Sequence, residues 1–442
     1  MRIVQAVGWY LPDSVGGTEL YVGQLARCLQ SQGHEVLVAA PQAGLATAHS
    51  YEINGVPVYR YPIPVSLTRA EARGDSVSVG AAEFHAWLAR VKPDILHTHT
   101  FVTGLGLAEI KAAKQLGARV VSTTHAASLW FTCERGTLLH DGVALCDGVT
   151  RVHRCAACAL KHRGVPNALA AGLAHIPLEA SRVAARIPGR AATALAMPSL
   201  IEGNMMRQNE LFAVADHLVV LSDFAARVLL ANGAPPAKVV VNRLGVARDA
   251  VTTCPSGRAV RDPQRPVTVG YVGRVESIKG LDDFVHAVLS LAKSVRLRAR
   301  IVAITSSPAD REHLAALEAT AANDSRITFD RACSQPEVWA MLGEIDVLCC
   351  PSRVVEGGPT VALEAYAVGT PVIGSALPAL NEVVQHGING ALFPPGDRPA
   401  LTRLLERIAA NPASTIDQWR TSPHTPRTFD QVCAEYVRLY QA

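Results

Sequence analysis

The stretch Pro351-Ser-Arg-Val-Val-Glu356-Gly-Gly-Pro-Thr-Val-Ala-Leu-Glu364-Ala-Tyr-Ala-Val-Gly369 gathers residue types that can do chemistry. The apolar run ending at Pro351 predicts a buried strand, and a helical pattern begins near Pro359. The turn between them carries Glu356, Gly357 and Gly358, and the helix is expected over Pro359 to Val368, with Thr360 in its first turn. A helix start leaves backbone N–H groups unpaired, which makes it a ready site for an anion. Glu364 stands among Val361, Ala362, Leu363, Ala365 and Ala367. A carboxylate in that company is costly without hydrogen-bond donors, and the vicinal hydroxyls of a sugar would supply two. The plain alternative is an ordinary helix with one solvated Glu after a Gly-rich turn.

A second cluster is Gly270-Tyr-Val-Gly273-Arg274-Val-Glu-Ser-Ile-Lys279-Gly280. Arg274 as a planar fork and Lys279 as a point charge can converge on a diphosphate; a basic surface turn is the competing reading. Gly16-Gly17-Thr18-Glu19 follows the first strand, where glycines permit close backbone approach to a ligand and Thr18 is the expected N-cap. Ser122-Thr-Thr-His125 places a histidine at the end of an apolar strand, and strand ends face the crevice in open α/β sheets. His97 and His99 end another such strand.

Taken together, these residues resemble the retaining GT-B glycosyltransferases, specifically glycosyltransferase family 4. Glu356 and Glu364, with seven residues between them, and the continuation Gly369-Thr-Pro-Val-Ile match the family's signature. The resemblance extends over nearly the whole chain, with a poorly matching middle in the N-terminal half. It implies a nucleotide-diphosphate sugar donor, with Arg274 and Lys279 neutralising the departing diphosphate. It also implies Glu364 on the ribose, Glu356 on the sugar, His125 as a further sugar contact and Gly16-Gly17 near donor phosphate or acceptor. One departure stands out: Phe329-Asp330-Arg331 has Arg where the family usually has Gly near the base, and Arg331 could itself stack there. No Asp-x-Asp occurs in the chain, so no cofactor is expected for catalysis. The acceptor is expected to be a glycan, a lipid-linked or a small-molecule hydroxyl. A sugar-nucleotide epimerase or hydrolase, or a non-catalytic binding subunit, are the rival functions.

The elements that must position these residues alternate between strand and helix almost throughout, as parallel sheets with helical crossovers require. The expected class is α/β with GT-B architecture, two Rossmann-like doubly wound domains facing a central cleft. The N-terminal acceptor-side domain spans 1–247, the Pro-, Gly- and Arg-rich stretch 248–266 reads as a linker, and 267–425 forms the nucleotide-sugar domain. A C-terminal helix in 426–442 can pack back on the N-terminal domain. Asn54-Gly55 predicts a hairpin turn, and Ser334-Gln-Pro-Glu337 a capping box.

The 442 residues are 49% hydrophobic and carry a formal net charge of +4, too balanced to suggest nucleic acid as a partner. No run approaches the roughly 18 apolar residues of a membrane span, and no signal peptide is evident. A cytoplasmic location is expected, with peripheral contact at the inner membrane face an open option and oligomeric state undetermined. The rhythm breaks over about 126–210. There Cys133, Cys146, Cys155 and Cys158 suggest a structural zinc site, against buried thiols or a redox pair. Between Gly148 and Arg190 seven Lys/Arg face one acid, Glu179. That surplus suits an anionic membrane surface or a phosphorylated acceptor; the alternative is an Ala-rich helical insertion with a solvated basic face.

Overall fold

The computed structural model describes residues 1–14, 16–66, 71, 80–102, 104–247, 262–331, 334–422 and 424–442. Most of the stretch read as a linker, residues 248–261, lies outside the described residues. The chain divides into two compact units. Unit 1 comprises Met1–Gly136, Asp147–Arg243 and Phe429–Ala442; unit 2 comprises Thr137–Cys146 and Leu244–Thr428.

In unit 1 the strands are β1 (Arg2–Ala6), β2 (Glu35–Ala43), β3 (His49–Ile53), β4 (Val56–Ile63), β5 (Ile95–Thr98) and β6 (Arg119–Thr123), with β9 (His217–Val220) and β10 (Val239–Val241) beyond the insertion. A short hairpin, β7 (Leu139–His140) and β8 (Ala144–Leu145), falls between them in sequence and belongs to unit 2. The described strands of unit 1 form one sheet in the order β10-β9-β6-β5-β1-β2-β4-β3. All neighbours are parallel except β3 and β4, whose antiparallel pairing turns at Asn54 and Gly55, both at positive φ. That is the geometry an Asn-Gly hairpin turn needs. The insertion is helical rather than irregular, and its helices Val152–His162 and Met197–Val214 bury Ala156, Ala159, Leu160, Met197 and Ile201 together.

Unit 2 contains β11 (Val267–Arg274), β12 (Leu297–Ile304), β13 (Ile327–Asp330), β14 (Val347–Cys350), β15 (Val372–Ser375) and β16 (Gly390–Phe393). Every pairing is parallel and the order is β13-β12-β11-β14-β15-β16. Strands buried on both faces by crossover helices must be apolar throughout, as Val347, Leu348 and Cys349 are. The chain leaves β11 toward one edge of the sheet and returns at β14 to run toward the other, so the connections diverge between β11 and β14. Loops beyond the carboxyl ends of these two strands therefore border an open crevice, where ligands bind in such sheets.

Candidate donor site

The two loops at this divergence are the ones singled out by their residues. Arg274 is the last residue of β11, Lys279 ends a single 3-10 turn over Ser277–Lys279, and Gly280 caps it at φ +74°. A Cβ on Gly280 would lie 2.0 Å from the carbonyl oxygen of Pro351, the residue that follows the neighbouring strand. Gly280 is thus glycine for two reasons, its left-handed backbone and its close approach to the second loop.

Across the crevice, the Lys279 ammonium sits 2.7 and 2.8 Å from the two carboxylate oxygens of Glu356. Ser352 donates to the same carboxylate at 2.8 Å. The loop is anchored from behind: the Arg353 N–H donates to the carbonyl of Ile278 at 2.7 Å, and its guanidinium grips the buried carboxylate of Asp283, which also receives Arg398. On its other side, Val355 N–H donates to the carbonyl of Thr137 at 3.0 Å, so the segment carrying hairpin β7–β8 buttresses the residue before Glu356. Gly358 is pinned against Leu244, whose Cδ1 an added Cβ would meet at 2.4 Å.

The helix that follows spans Thr360–Ala367, one residue shorter at each end than the sequence suggests, and no side chain caps its N-terminus. Thr360 N–H turns back to the carbonyl of Gly358 at 3.0 Å, which leaves the N–H groups of Val361 and Ala362 without a hydrogen bond among the described residues. Partial positive charge and an ammonium together favour a diphosphate. One turn into this helix, Glu364 Oε1 accepts from Gln335 Nε2 at 2.6 Å and from Trp339 Nε1 at 3.2 Å. Burial raises the Glu364 carboxyl to about 7, partly offset by the Trp339 bond. Both protein donors fall on Oε1, which leaves Oε2 for a ligand hydroxyl. Gln335 and Trp339 escaped the sequence reading, although the capping box at Ser334 and Glu337 forms as expected, with Glu337 accepting from Ser334 N–H at 2.7 Å. Their four-residue spacing on one helix, opposite an acid, is the signal that could have found them.

Arg274 pairs with Glu276 at 2.6 Å and remains half exposed. Arg331 is exposed beyond β13, two strands from the divergence, with no ring partner among the described residues. Gly16, Gly17 and His125 lie in unit 1. The first helix there starts at Gly17 with Gly16 as N-cap, so Thr18 is not the cap; Glu19 instead folds back within 2.7 Å of where a Gly16 Cβ would sit and accepts from Ser14 at 2.6 Å. His125 follows β6 and meets His99. Beside these, an open cavity of about 370 Å³ lies at the carboxyl ends of β1, β2 and β4, lined among others by Trp9, Asp13, Ser14, Gln42 and Arg60.

Among the described residues no three His, Cys, Asp or Glu side chains are grouped so as to hold an ion. Cys155 accepts from the backbone N–H of Arg151, and Arg135 hydrogen-bonds Cys158. The basic surplus of the insertion is also smaller than its sequence window implies. Arg151 and Arg154 pair with Asp147, Arg163 with Glu134 and Arg182 with Glu202, acids that lie just outside the counted stretch. No helix among the described residues is long and apolar enough to cross a membrane.

Comparison with known proteins gives the family and the fold. Residues 266–411 match the family model described as glycosyl transferases group 1, and residues 16–245 match that of the glycosyl transferase 4-like domain. The chain is 27% identical over 402 residues to 2-deoxystreptamine N-acetyl-D-glucosaminyltransferase from Streptomyces fradiae, covering 88% of this chain and 82% of that one. It is 32% identical over 218 residues to D-inositol 3-phosphate glycosyltransferase from Streptomyces bingchenggensis, 46% of this chain and 48% of that protein. With most of the curated relatives it matches, the chain likewise spans about half their length. Among solved structures, sucrose-phosphate synthase from Thermosynechococcus elongatus superposes with a TM-score of 0.66 at 18% identity, covering 100% of this chain and 98% of that one. Anabaena HepE in complex with UDP-glucose superposes with 0.62 at 12% identity, covering 100% and 99%. The fold is therefore that of the GT-B glycosyltransferases, two Rossmann-like units in one chain. With a model match across more than half its residues, the chain belongs to the group 1 glycosyl transferases of the family 4 type.

Proposed function

We propose that the protein is a retaining glycosyltransferase that moves a sugar from a nucleotide-diphosphate sugar to a hydroxyl-bearing acceptor, a glycan, a lipid-linked or a small-molecule one. The observation that carries the reading is the Lys279–Glu356 pair beside an uncapped helix N-terminus at the divergence of β11 and β14. The solved relative that binds UDP-glucose has the same fold and supports a sugar nucleotide as the donor class.

In this reading, the diphosphate lies over the N–H groups at the start of helix Thr360–Ala367, with Lys279 and Arg274 on its oxygens. Their fixed positive charge is worth most where negative charge grows, on the departing phosphate. Glu364 takes the ribose hydroxyls on Oε2, and Glu356 holds Lys279 in place and meets the transferred sugar. A leaving oxygen on the face of attack can take the acceptor's proton, which yields retention without a separate base. His125 keeps the sugar contact that the resemblance implies. The cavity of unit 1 suits an acceptor ring: Trp9, 57% exposed, offers a flat apolar platform, and Asp13, Ser14 and Gln42 offer hydrogen bonds. Its one described cation, Arg60, is buried and neutralised by Asp13 at 3.0 Å, so a neutral polyhydroxyl ring fits better than a phosphorylated one.

Calorimetry with a panel of nucleoside diphosphates, followed by NMR of the anomeric proton in products formed with candidate acceptors, tests this. Transfer with inversion would overturn the retaining mechanism. Turnover of the donor alone, with no acceptor able to trap the sugar, would favour a hydrolase or epimerase.

A further inference from the structure

Behind His125, unit 1 holds a buried polar chain to which no role has yet been assigned. His99 Nδ1 is 3.2 Å from His125 Nε2, and His99 Nε2 is 2.7 Å from Gln5 Oε1. The Gln5 amide nitrogen is 3.3 Å from the Tyr440 hydroxyl, which lies 2.6 Å from His97 Nδ1. His97 Nε2 in turn meets Thr123 Oγ1 at 2.7 Å, and Thr123 meets the Tyr436 hydroxyl at 3.0 Å. Gln5 and His97 are wholly buried and His99 nearly so. Burial lowers the pKa of all three histidines, His125 to about 4, so each is neutral at physiological pH.

A neutral imidazole has one donor and one acceptor, so a single choice of proton propagates along the chain. Two patterns are self-consistent. In the first, Gln5 Oε1 accepts from His99 Nε2–H, His99 Nδ1 accepts from His125 Nε2–H, and His125 Nδ1 carries a lone pair. In the second, the Gln5 amide is reversed, every proton shifts, and His125 Nδ1 carries hydrogen. The distances select the first. A separation of 2.7 Å suits N–H to a carbonyl oxygen and is short for an amide N–H to a ring nitrogen. The 3.3 Å contact is slightly long for an amide N–H to a phenol oxygen and much longer than the roughly 2.7–2.8 Å that a phenol O–H to a carbonyl prefers.

We propose that Gln5 and His99 are positioning residues that fix His125 as the Nε2–H tautomer. His125 Nδ1 is then a hydrogen-bond acceptor, able to take a hydroxyl hydrogen from a sugar and unable to donate to a phosphate oxygen. Tyr21, edge-on to His125 with ring centroids 4.8 Å apart, holds the ring plane. The Tyr436 and Tyr440 hydroxyls, from helix Phe429–Gln441, close the far end of the chain. The sugar contact rests on the glycosyltransferase reading; the proton pattern does not.

The test is 15N imidazole NMR on the full chain labelled at histidine, assigned through His99→Leu and His125→Gln. The expected result is an Nε2–H tautomer for His125 in the wild-type protein, retained in His99→Asn, whose Oδ1 replaces the accepting Nδ1, and lost to a mixture in His99→Leu. An Nδ1–H signal for His125 in the wild type, which needs no variant to fold, overturns the inference. With UDP-glucose and UDP as probes, His99→Leu is expected to weaken UDP-glucose several-fold and UDP not at all. A changed tautomer with unchanged UDP-glucose affinity would overturn the sugar contact while upholding the proton pattern.

Discussion

Lys279 and Glu356, 77 residues apart in sequence, meet at 2.7 and 2.8 Å across the divergence of β11 and β14. The pair joins the two loops proposed to bind the donor, and it fixes the position of the Lys279 ammonium. Both side chains keep about a quarter of their surface exposed, so the pair contributes to stability only weakly.

Lys279→Ala should therefore leave the fold intact. The expected loss of stability is at most about 1 kcal/mol, a shift of roughly 2–4 °C in melting temperature for a domain of this size. Turnover should fall by about 100- to 1,000-fold, as when one donor to developing charge is removed. Thermal unfolding and steady-state rates on the same preparation check this, and wild-type rates would remove Lys279 from the mechanism.

Glu356→Gln and Glu364→Gln should part company. The first removes a competitor for Lys279, so affinity for the free nucleoside diphosphate should hold or rise while transfer drops. The second deletes the ionised acceptor proposed for the ribose and should weaken donor and free nucleotide alike, by about 1.5–3 kcal/mol less what the amide recovers. Calorimetry paired with rates distinguishes them; equal losses of nucleotide affinity would contradict the division of roles.

Glu364 also predicts a pH dependence. Its carboxyl is raised to about 7 by burial, so between its unfolded value near 4.5 and about 7 the folded state binds more protons than the unfolded one. Stability from this group is thus highest below about 4.5 and declines as pH rises toward 7. Ribose hydroxyls favour the ionised form, so nucleotide affinity should increase with pH up to about 7 and binding near pH 6.5 should release protons. Calorimetry in buffers of different ionisation enthalpy measures that release, and Glu364→Gln should abolish it.

Gly280→Ala and Gly369→Ala offer a matched comparison, since both sit near φ +75°. At Gly369 an added Cβ meets nothing within 4 Å, so the cost should be the left-handed penalty of about 1–2 kcal/mol. At Gly280 the Cβ meets the Pro351 carbonyl at 2.0 Å, backbone that cannot rotate away, so the loss should be clearly larger and accompanied by weaker nucleotide binding. Denaturant unfolding of the two variants settles the order.

Trp9→Ala should raise the acceptor KM by at least about 10-fold, the range of one lost hot-spot aromatic, with unchanged UDP affinity. Trp9 is 57% exposed, so the fold should not suffer. An unchanged KM would exclude the unit 1 cavity as the acceptor site.

The sequence by itself determined the alternation of strands and helices, the Asn54-Gly55 turn and the capping box at Ser334, and it singled out the two loops that meet at the divergence of β11 and β14. These are legible because each rests on local chemistry: a period of two or 3.6, a left-handed backbone at Gly, a side chain reaching three residues along. The insertion is legible as Ala-rich and helical, but the packing of its helices is not, because Ala156, Ala159 and Met197 find their partners only in the folded insertion. Only the tertiary structure decided which acid faces which base. Lys279 on Glu356, Arg353 on Asp283, Arg163 on Glu134, Arg182 on Glu202, and the chain Gln5–His99–His125 are pairings between separate segments. Their partners are fixed by how strands, helices and loops pack, and a count of charges along the chain does not contain that.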